Sequence, residues 1–338
     1  MNRVEYGYDD AARGADFLRK KTREHGFDPD AMKDTIVLGS GLGLFGKAAM
    51  DEDKANQSSG PVAVPYDELY AALGLPPIEG EIAEHARKVI VGPLKGTGSD
   101  RLVVAWSGRE HLYEGVSPQR ATFYLRIMQL LGAKTLFSSN AAGIITPKTL
   151  KPPALLLHHS HSDRAIATDN PLIGRNDERL GPQFPHLMDL CPAETRAIVM
   201  KAARDLRIVL KEGTFIRFKG PNYESPDEIS LAQEELETIW RRGRRRKGEK
   251  RFRGKFVGAV GMSTTPETRV AQHATQSKKN PAFLDGRAYV SALTNYAGSV
   301  GPNGFVKPSS HEEVKEQAAL VNERFIRLAR ESILRMRK

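Results

Sequence analysis

Short apolar runs recur along the chain, and most of them end in a small or polar cluster. Thr35-Ile36-Val37-Leu38 leads into Gly39-Ser40-Gly41-Leu42-Gly43, and Leu102 to Trp106 leads into Ser107-Gly108-Arg109-Glu110-His111-Leu112-Tyr113-Glu114-Gly115. Thr135 to Ser138 delivers Asn140-Ala141-Ala142-Gly143, and Phe215 to Phe218 ends at Gly220-Pro221-Asn222-Tyr223-Glu224-Ser225. Phe256 to Val260 precedes Gly261-Met262-Ser263-Thr264, and Ala288 to Leu293 precedes Thr294-Asn295. With Lys88 to Val91 and Ala154 to Leu157, these runs read as buried strands. Helical spacing fills the intervals. Asp10 to His25 places Ala12, Phe17 and Leu18 on one face, and Pro118 to Leu131 opens on a Ser117 cap with Pro118 in its first turn. Ala193 to Leu206, Pro226 to Trp240 (capped by Ser225, with Asp227 and Glu228 in the first turn), Pro266 to Thr275 and Glu312 to Met336 complete the set. Residues 51–80, rich in Pro, Gly and Ser, read as loop.

Strands alternating with helices predict an α/β sheet with helices on both faces, and polar clusters at strand ends are where such sheets bind ligands. With no internal repeat and no clean domain boundary, residues 1–338 read as one domain.

Composition changes this picture in one place. The chain carries a net charge of +10, but residues 241–255 alone hold ten Lys or Arg and one Glu. The basicity therefore belongs to an insert and not to the fold. Such a run reads as a solvated surface loop, with a nuclear address or a polyanion-binding loop as the specific alternatives. A nucleic acid or acidic partner enters only through it. Met1 to Lys21 mixes charge signs without a continuous apolar stretch, and nothing elsewhere approaches the ~20 apolar residues that a bilayer demands. A cytoplasmic protein with no membrane partner is expected, with nuclear entry an option. The lone Cys191 fits a reducing compartment and reads as a small residue before Pro192 at a helix start rather than as a nucleophile.

Four features are candidates for chemistry. Gly41-Leu42-Gly43-Leu44-Phe45-Gly46 matches a dinucleotide fingerprint, but no second strand ending in an acid follows, so it reads as a phosphate turn with Ser40 as a hydroxyl donor. His159-Ser160-His161-Ser162-Asp163 has the spacing of a metal ligand set, yet Arg164 stands where a further ligand belongs. It reads as polar residues closing a strand, and no metal is expected. Arg109 and His111, two apart, can face one anion, the guanidinium as a fork and the imidazole as a further donor. Glu224 and Asn295, each after a strand, carry groups able to read the edge of a heterocycle.

Taken in order, seven fragments resemble the trimeric purine nucleoside phosphorylase family: the Gly39–Gly43 turn, Gly108–Gly115, Asn140–Gly143, Asn170-Pro171-Leu172-Ile173-Gly174, Gly220–Glu224, Val260–Thr264 and Thr294-Asn295. The resemblance implies a single-domain mixed central β-sheet flanked by helices, a homotrimer, and phosphorolysis of a purine nucleoside to free base and ribose 1-phosphate. Inorganic phosphate is then a co-substrate, and no cofactor is implied. The family's phosphate ligands carry over to Ser40, His85, Arg109, His111, Ala141 and Ser263. Tyr113 and Met262 would contact the ribose, and His311 its 5′-hydroxyl. Tyr223, Glu224 and Asn295 would bind the base, with Asn295, Glu224 and His111 as the catalytic set.

Glu224 with Asn295 favours 6-oxopurines, inosine and guanosine, whereas the related methylthioadenosine phosphorylases carry Asp at the Asn295 position. That activity is one alternative. A non-catalytic purine-binding paralogue with a polyanion-binding insert is another. Four departures from the family pattern stand out: Glu84-His85-Ala86-Arg87 around the phosphate His, Leu180 where a neighbouring subunit lends a Phe, Ile144 after Asn-Ala-Ala-Gly, and His159-Ser160 in place of Asp-His.

Overall fold

In the computed structural model, the described residues are 6–39, 42, 49–50, 60–77, 87–95, 97–98, 100–163, 166–244, 256–279 and 285–336. Strand β1 (Met32–Leu38) is apolar enough to be buried at every position but Lys33. It lies in parallel between β4 (Leu102–Ser107) and the first half of β5 (Thr135–Ile144). Beyond β4, β3 (Lys88–Pro93) and then β2 (Val62–Pro65) add antiparallel strands.

β5 does a second job. Along its other edge it pairs in parallel with β9 (Gly286–Tyr296), which pairs antiparallel with β6 (Ala154–Asp163). β6 lies parallel to β7 (Leu210–Arg217), and β7 parallel to β8 (Gly258–Gly261). Gly143 and Ile144 of β5 then pair with Val260 and Ala259 of β8. Strands β5-β8-β7-β6-β9 therefore close on themselves, and β2-β3-β4-β1 extends from β5 as an open wing. A ring of this kind has no exposed edge, which allows its strands to carry polar residues deep into the protein without inviting another chain to pair. The architecture is the expected mixed α/β sheet with helices on both faces; closure of the ring is not legible from apolar runs.

One face of the wing packs under helices Tyr8–Glu24, Tyr66–Leu73 and Phe123–Leu131 through Leu18, Leu69, Ile127 and Trp106. The opposite face is covered by helices Ala193–Asp205 and His311–Met336, where Val199 and Phe325 meet Phe137 of β5. The first helix buries Ala11, Ala15, Leu18 and Thr22, so its inward stripe runs one residue before Ala12.

Three expectations need correction. Within residues 51–80, taken as loop, lie β2 and the helix Tyr66–Leu73. Val62-Ala63-Val64-Pro65 alternates buried and exposed positions, and the helix ends on Gly74 at φ 61°, a left-handed cap. A four-residue alternation is too short to stand out against its Pro- and Gly-rich surroundings. Pro118 to Leu131 is two helices, Pro118–Ala121 and Phe123–Leu131, broken at Thr122, whose hydroxyl donates back to the Pro118 carbonyl. Asn140 to Gly143, His159 to Asp163 and Thr294-Asn295 lie inside β5, β6 and β9 rather than after them. Of the basic run, 241–244 finish the helix Pro226–Arg244, and 245–255 lie outside the described residues. Among the described residues no helix is long and apolar enough to cross a membrane.

Phe325 fixes the C-terminal helix to β5, its ring centroid 5.8 Å from that of Phe137. Phe325→Ala is expected to cost about 3–5 kcal/mol of unfolding free energy in a denaturant titration. A loss under ~1 kcal/mol would show that the helix is held elsewhere.

Candidate active site

A cavity of about 370 Å³ opens where the wing meets the ring, a size that suits a small organic ligand. The loop after β4 supplies Arg109, His111 and Tyr113; β5 supplies Ala141; the turn after β8 supplies Met262 and Ser263; β9 supplies Asn295. Tyr223 and Glu224 come from the loop after β7, and His311 opens the last helix. Ten residues singled out from sequence thus share one cavity. Ser40 and His85 lie outside the described residues.

Arg109 is 3% exposed, and a guanidinium cannot be buried without partners. Its Nη1 donates to Glu267 Oε1 at 2.9 Å and its Nη2 to Ser263 Oγ at 2.7 Å. Glu267 also accepts from the Tyr124 hydroxyl at 3.1 Å. Arg109 Nε and Glu267 Oε2 are buried without a hydrogen-bond partner among the described residues. The ion pair fixes the plane of the fork while its serine-bound edge borders the cavity, an arrangement that can grip a phosphate oxygen.

His111 borders the same cavity. Its ring Nδ1 lies 3.1 Å from Glu114 Oε1, which also accepts from the His111 backbone N–H at 2.9 Å. Burial would raise the Glu114 carboxyl, but these hydrogen bonds, the electrostatic pull of the His111 ring and the charge of Arg87 outweigh it and bring it below its ordinary value. An ionised carboxylate only accepts, so the proton of the ring sits on Nδ1. Burial first, with Arg109 and Arg87 adding to it against the pull of Glu114, lowers the imidazole's own pKa and keeps it neutral. A neutral ring of this tautomer offers a lone pair at Nε2. Its ring stacks on Tyr113, centroids 4.8 Å apart and 11° from parallel, so the two aromatic groups hold one another.

Glu224 and Asn295 are each 8% exposed. Burial raises the Glu224 carboxyl above its ordinary value. The Asn295 amide is oriented by its neighbour: Thr294 Oγ1 donates to Oδ1 at 2.9 Å, and Nδ2 reaches the Tyr296 carbonyl at 3.4 Å. With its carbonyl oxygen engaged, the amide presents a donor. His311 and Tyr223 are more open, Tyr223 being 43% exposed.

A model of the phosphorylase superfamily matches residues 62–334. Purine nucleoside phosphorylase of Rattus norvegicus is 31% identical over 334 residues, spanning 97% of this chain and 96% of that protein. Isoform 2 of purine nucleoside phosphorylase from Schistosoma mansoni, solved with cytosine and ribose-1-phosphate, superposes with a TM-score of 0.75 at 26% identity over 98% of each chain. A Schistosoma purine nucleoside phosphorylase solved with hypoxanthine does so with a TM-score of 0.73 at 25% identity, covering 98% of this chain and 99% of that one. The chain belongs to the purine nucleoside phosphorylase family. It is a pentosyltransferase enzyme.

Against that family membership, several features read from sequence stand apart from the cavity. Leu180 is buried and borders a separate cavity of about 730 Å³ beside Arg126 and His273. Within the His159–Asp163 segment, Asp163 is engaged by Arg217 at 3.0 Å and Arg269 at 3.6 Å. Burial pushes the Cys191 thiol up to about 12, so it stays protonated and unreactive. Sequence reasoning missed Glu267, Glu114 and Arg87. Glu267 reads as an ordinary first-turn acid. Glu114 carried a signal, since it stands three residues after His111 at the end of a single helical turn, Leu112–Glu114. Arg87 was noted only as a departure, yet its Nη2 binds Glu114 at 2.8 Å.

Glu267→Gln removes the only carboxylate within salt-bridge distance of Arg109 among the described residues. A loss of about 3–5 kcal/mol of unfolding free energy is expected, because a buried cation is left uncompensated. Phosphate at saturating concentration should restore part of it, read as a rise in melting temperature larger than in the unsubstituted protein.

Proposed function

We propose that this chain cleaves 6-oxopurine nucleosides, inosine and guanosine, with inorganic phosphate, giving free base and ribose 1-phosphate. The observation that carries the reading is that Arg109 with Ser263, and Glu224 with Asn295, line one cavity. The first pair suits an anion, and the second suits the polar edge of a purine. Tyr113, Met262 and His311 border the same space, and there the ribose would lie, with His311 toward its 5′-hydroxyl.

Cleavage of the glycosidic bond builds positive charge on the sugar and negative charge on the departing base. Phosphate, held by Arg109, Ser263 and the Ala141 segment, supplies both the nucleophilic oxygen and the counter-charge to the ribosyl cation. The lone pair of neutral His111 takes a hydrogen bond from the phosphate's remaining proton and so leaves the attacking oxygen unprotonated. On the base, Glu224 accepts from a ring N–H while the Asn295 donor meets the oxo-bearing edge as charge develops there. With its oxygen held by Thr294, the Asn295 amide turns a donor toward the oxo-bearing edge, which favours a 6-oxopurine over the amino group of adenine and so over methylthioadenosine. No cofactor enters this scheme.

We further propose that residues 1–338 act as one domain and assemble as a homotrimer in the cytoplasm. Exposed Ile173, Phe184 and Met188, clustered in the segment from Asn170 to Asp189, support a surface that another copy covers.

Arg109→Ala is expected to lower phosphate-dependent hypoxanthine release from inosine by at least a hundredfold; unchanged turnover would remove the phosphate site. Asn295→Asp should shift preference from inosine toward adenosine and methylthioadenosine, since it replaces a donor by an acceptor and costs the 6-oxo substrates ~3–4 kcal/mol of transition-state stabilisation. Inosine turnover left intact by that change would place the base elsewhere.

The raised Glu224 carboxyl also fixes the sign of a pH effect. As pH falls through that raised value, Glu224 takes a proton and stops accepting from the base, so kcat/KM for inosine should fall on an acid limb above the ordinary carboxylate range. In the folded state this group holds its proton at a pH where the unfolded chain has lost it, so its contribution to stability declines as pH rises through the same window. Glu224→Gln should flatten both dependences. An acid limb that persists in this variant would assign it to another group.

A further inference from the structure

Ser263 and Glu267, the two partners of Arg109, stand on either side of an unusual turn. Thr264 has φ 69° and ψ −42°, a left-handed conformation that a β-branched residue adopts only under constraint. The Thr265 backbone N–H donates to the Ser263 carbonyl at 2.8 Å, which closes a three-residue turn. The helix Thr265–Thr275 starts immediately afterwards. Where Arg109 meets its partners is therefore set by a strained residue.

A closed circuit of buried side chains leads away from that turn and returns to it. Asn140 Nδ2 donates to Thr264 Oγ1 at 2.8 Å, and Ser291 Oγ donates to Asn140 Oδ1 at 2.5 Å. The Ser291 proton being spent on Asn140, the contact of 2.7 Å between Ser291 Oγ and His158 Nε2 requires the ring to donate. His158 Nδ1 is then a lone pair and accepts from His161 Nε2 at 3.2 Å. That leaves His161 Nδ1 to accept from Thr265 Oγ1 at 3.1 Å. Every member has one compatible direction, and the circuit ends on the residue after the one where it began. At Thr264 it touches the anion site, since the Thr264 and Ser263 hydroxyls are 3.4 Å apart.

The rings are held in place by packing as well. His158 stacks on Phe215 with centroids 4.7 Å apart, and His161 stands edge-on to Tyr289 at 5.5 Å. Burial, reinforced by the other imidazoles and, for His161, by Arg269, holds His158 well below its ordinary pKa and lowers His161 to about 3. Both rings are neutral, as the circuit needs.

We propose that His158 and Ser291 are positioning residues for phosphate: through Asn140 they hold Thr264 in its left-handed turn and so set how Ser263 and Arg109 meet the anion. The inference rests on the phosphate reading of Arg109 and Ser263. It assigns a task to His158 and to His161, the latter part of the metal-like His159–Asp163 segment, neither of which the reaction itself uses.

The test compares the unsubstituted chain with Ser291→Ala, His158→Phe and His158→Gln. Phenylalanine keeps the stack on Phe215 and deletes both nitrogens, and glutamine restores a donor and an acceptor. Titration calorimetry with inorganic phosphate and steady-state kinetics varied separately in phosphate and inosine supply the readouts. We expect Ser291→Ala and His158→Phe to weaken phosphate binding and raise its KM about tenfold, the effect of one buried partner left unpaired. The KM for inosine should stay within about twofold, and His158→Gln should recover most of the loss. Unchanged phosphate affinity in folded variants, or equal losses for phosphate and inosine, would overturn the proposal. If Ser291→Ala fails to fold, Thr265→Val breaks the circuit at its other end with the same side-chain shape and is read in the same way. Failure of the unsubstituted protein to cleave inosine would count against the phosphorolysis reading, while the calorimetric phosphate affinities would still decide this one.

Discussion

A guanidinium taken out of water needs a counter-charge and hydrogen-bond acceptors close by. Arg109 finds them in one carboxylate and one hydroxyl, Glu267 and Ser263. Both partners sit in a segment brought to it from 154 or more residues away along the chain. This contact joins the loop after β4, in the open wing, to the turn after β8, in the closed ring. It adds a side-chain link to the one that β5 already makes between the two parts, and it holds the Arg109 loop against the Ser263 turn at one end of the cavity.

The topology makes such a contact affordable. Because β5 pairs with the wing along its first half and with ring strand β9 along its whole length, and with β8 at its end, residues from both parts converge on Ala141 to Gly143. Ring closure satisfies backbone groups internally, so polar side chains such as Asn140, Ser291 and Thr294 stand inside strands without leaving an edge open. A site built on strands in this way is more rigid than one built on loops alone. The more exposed members, Tyr223 and His311, come from a loop and a helix start. Binding energy from the sugar and base would be spent ordering those two rather than the phosphate donors.

Much of this was legible in the sequence, for identifiable reasons. Apolar runs mark β1 and β4 because both faces of these strands are covered, and a continuous run then has no competing period. Arg109, His111, Glu224 and Asn295 stood out because reactive residue types cluster at or near strand ends, whereas Tyr113, Tyr223, Met262 and His311 gained their roles from the family resemblance. What escaped notice depended on partners distant in sequence or on signals too short to read. The alternation in Val62–Pro65 spans four residues, and the break at Thr122 depends on a hydroxyl turning back on the Pro118 carbonyl. Glu267 acquires its meaning only from Arg109. The tautomer of His111 follows from Glu114 and Arg87, and the latter arrives from a strand boundary that spacing alone does not bring near.

The central claim is that one cavity holds phosphate on Arg109 and Ser263 and a 6-oxopurine on Glu224 and Asn295. The measurement that bears on it most directly is a crystal structure of this chain grown with inorganic phosphate and hypoxanthine. The account predicts an anion within hydrogen-bond reach of Arg109 Nη2 and Ser263 Oγ, and a base whose ring N–H faces Glu224 while its oxo-bearing edge faces the Asn295 amide. Phosphate bound in the larger cavity beside Arg126, or hypoxanthine seated away from residues 224 and 295, would contradict it.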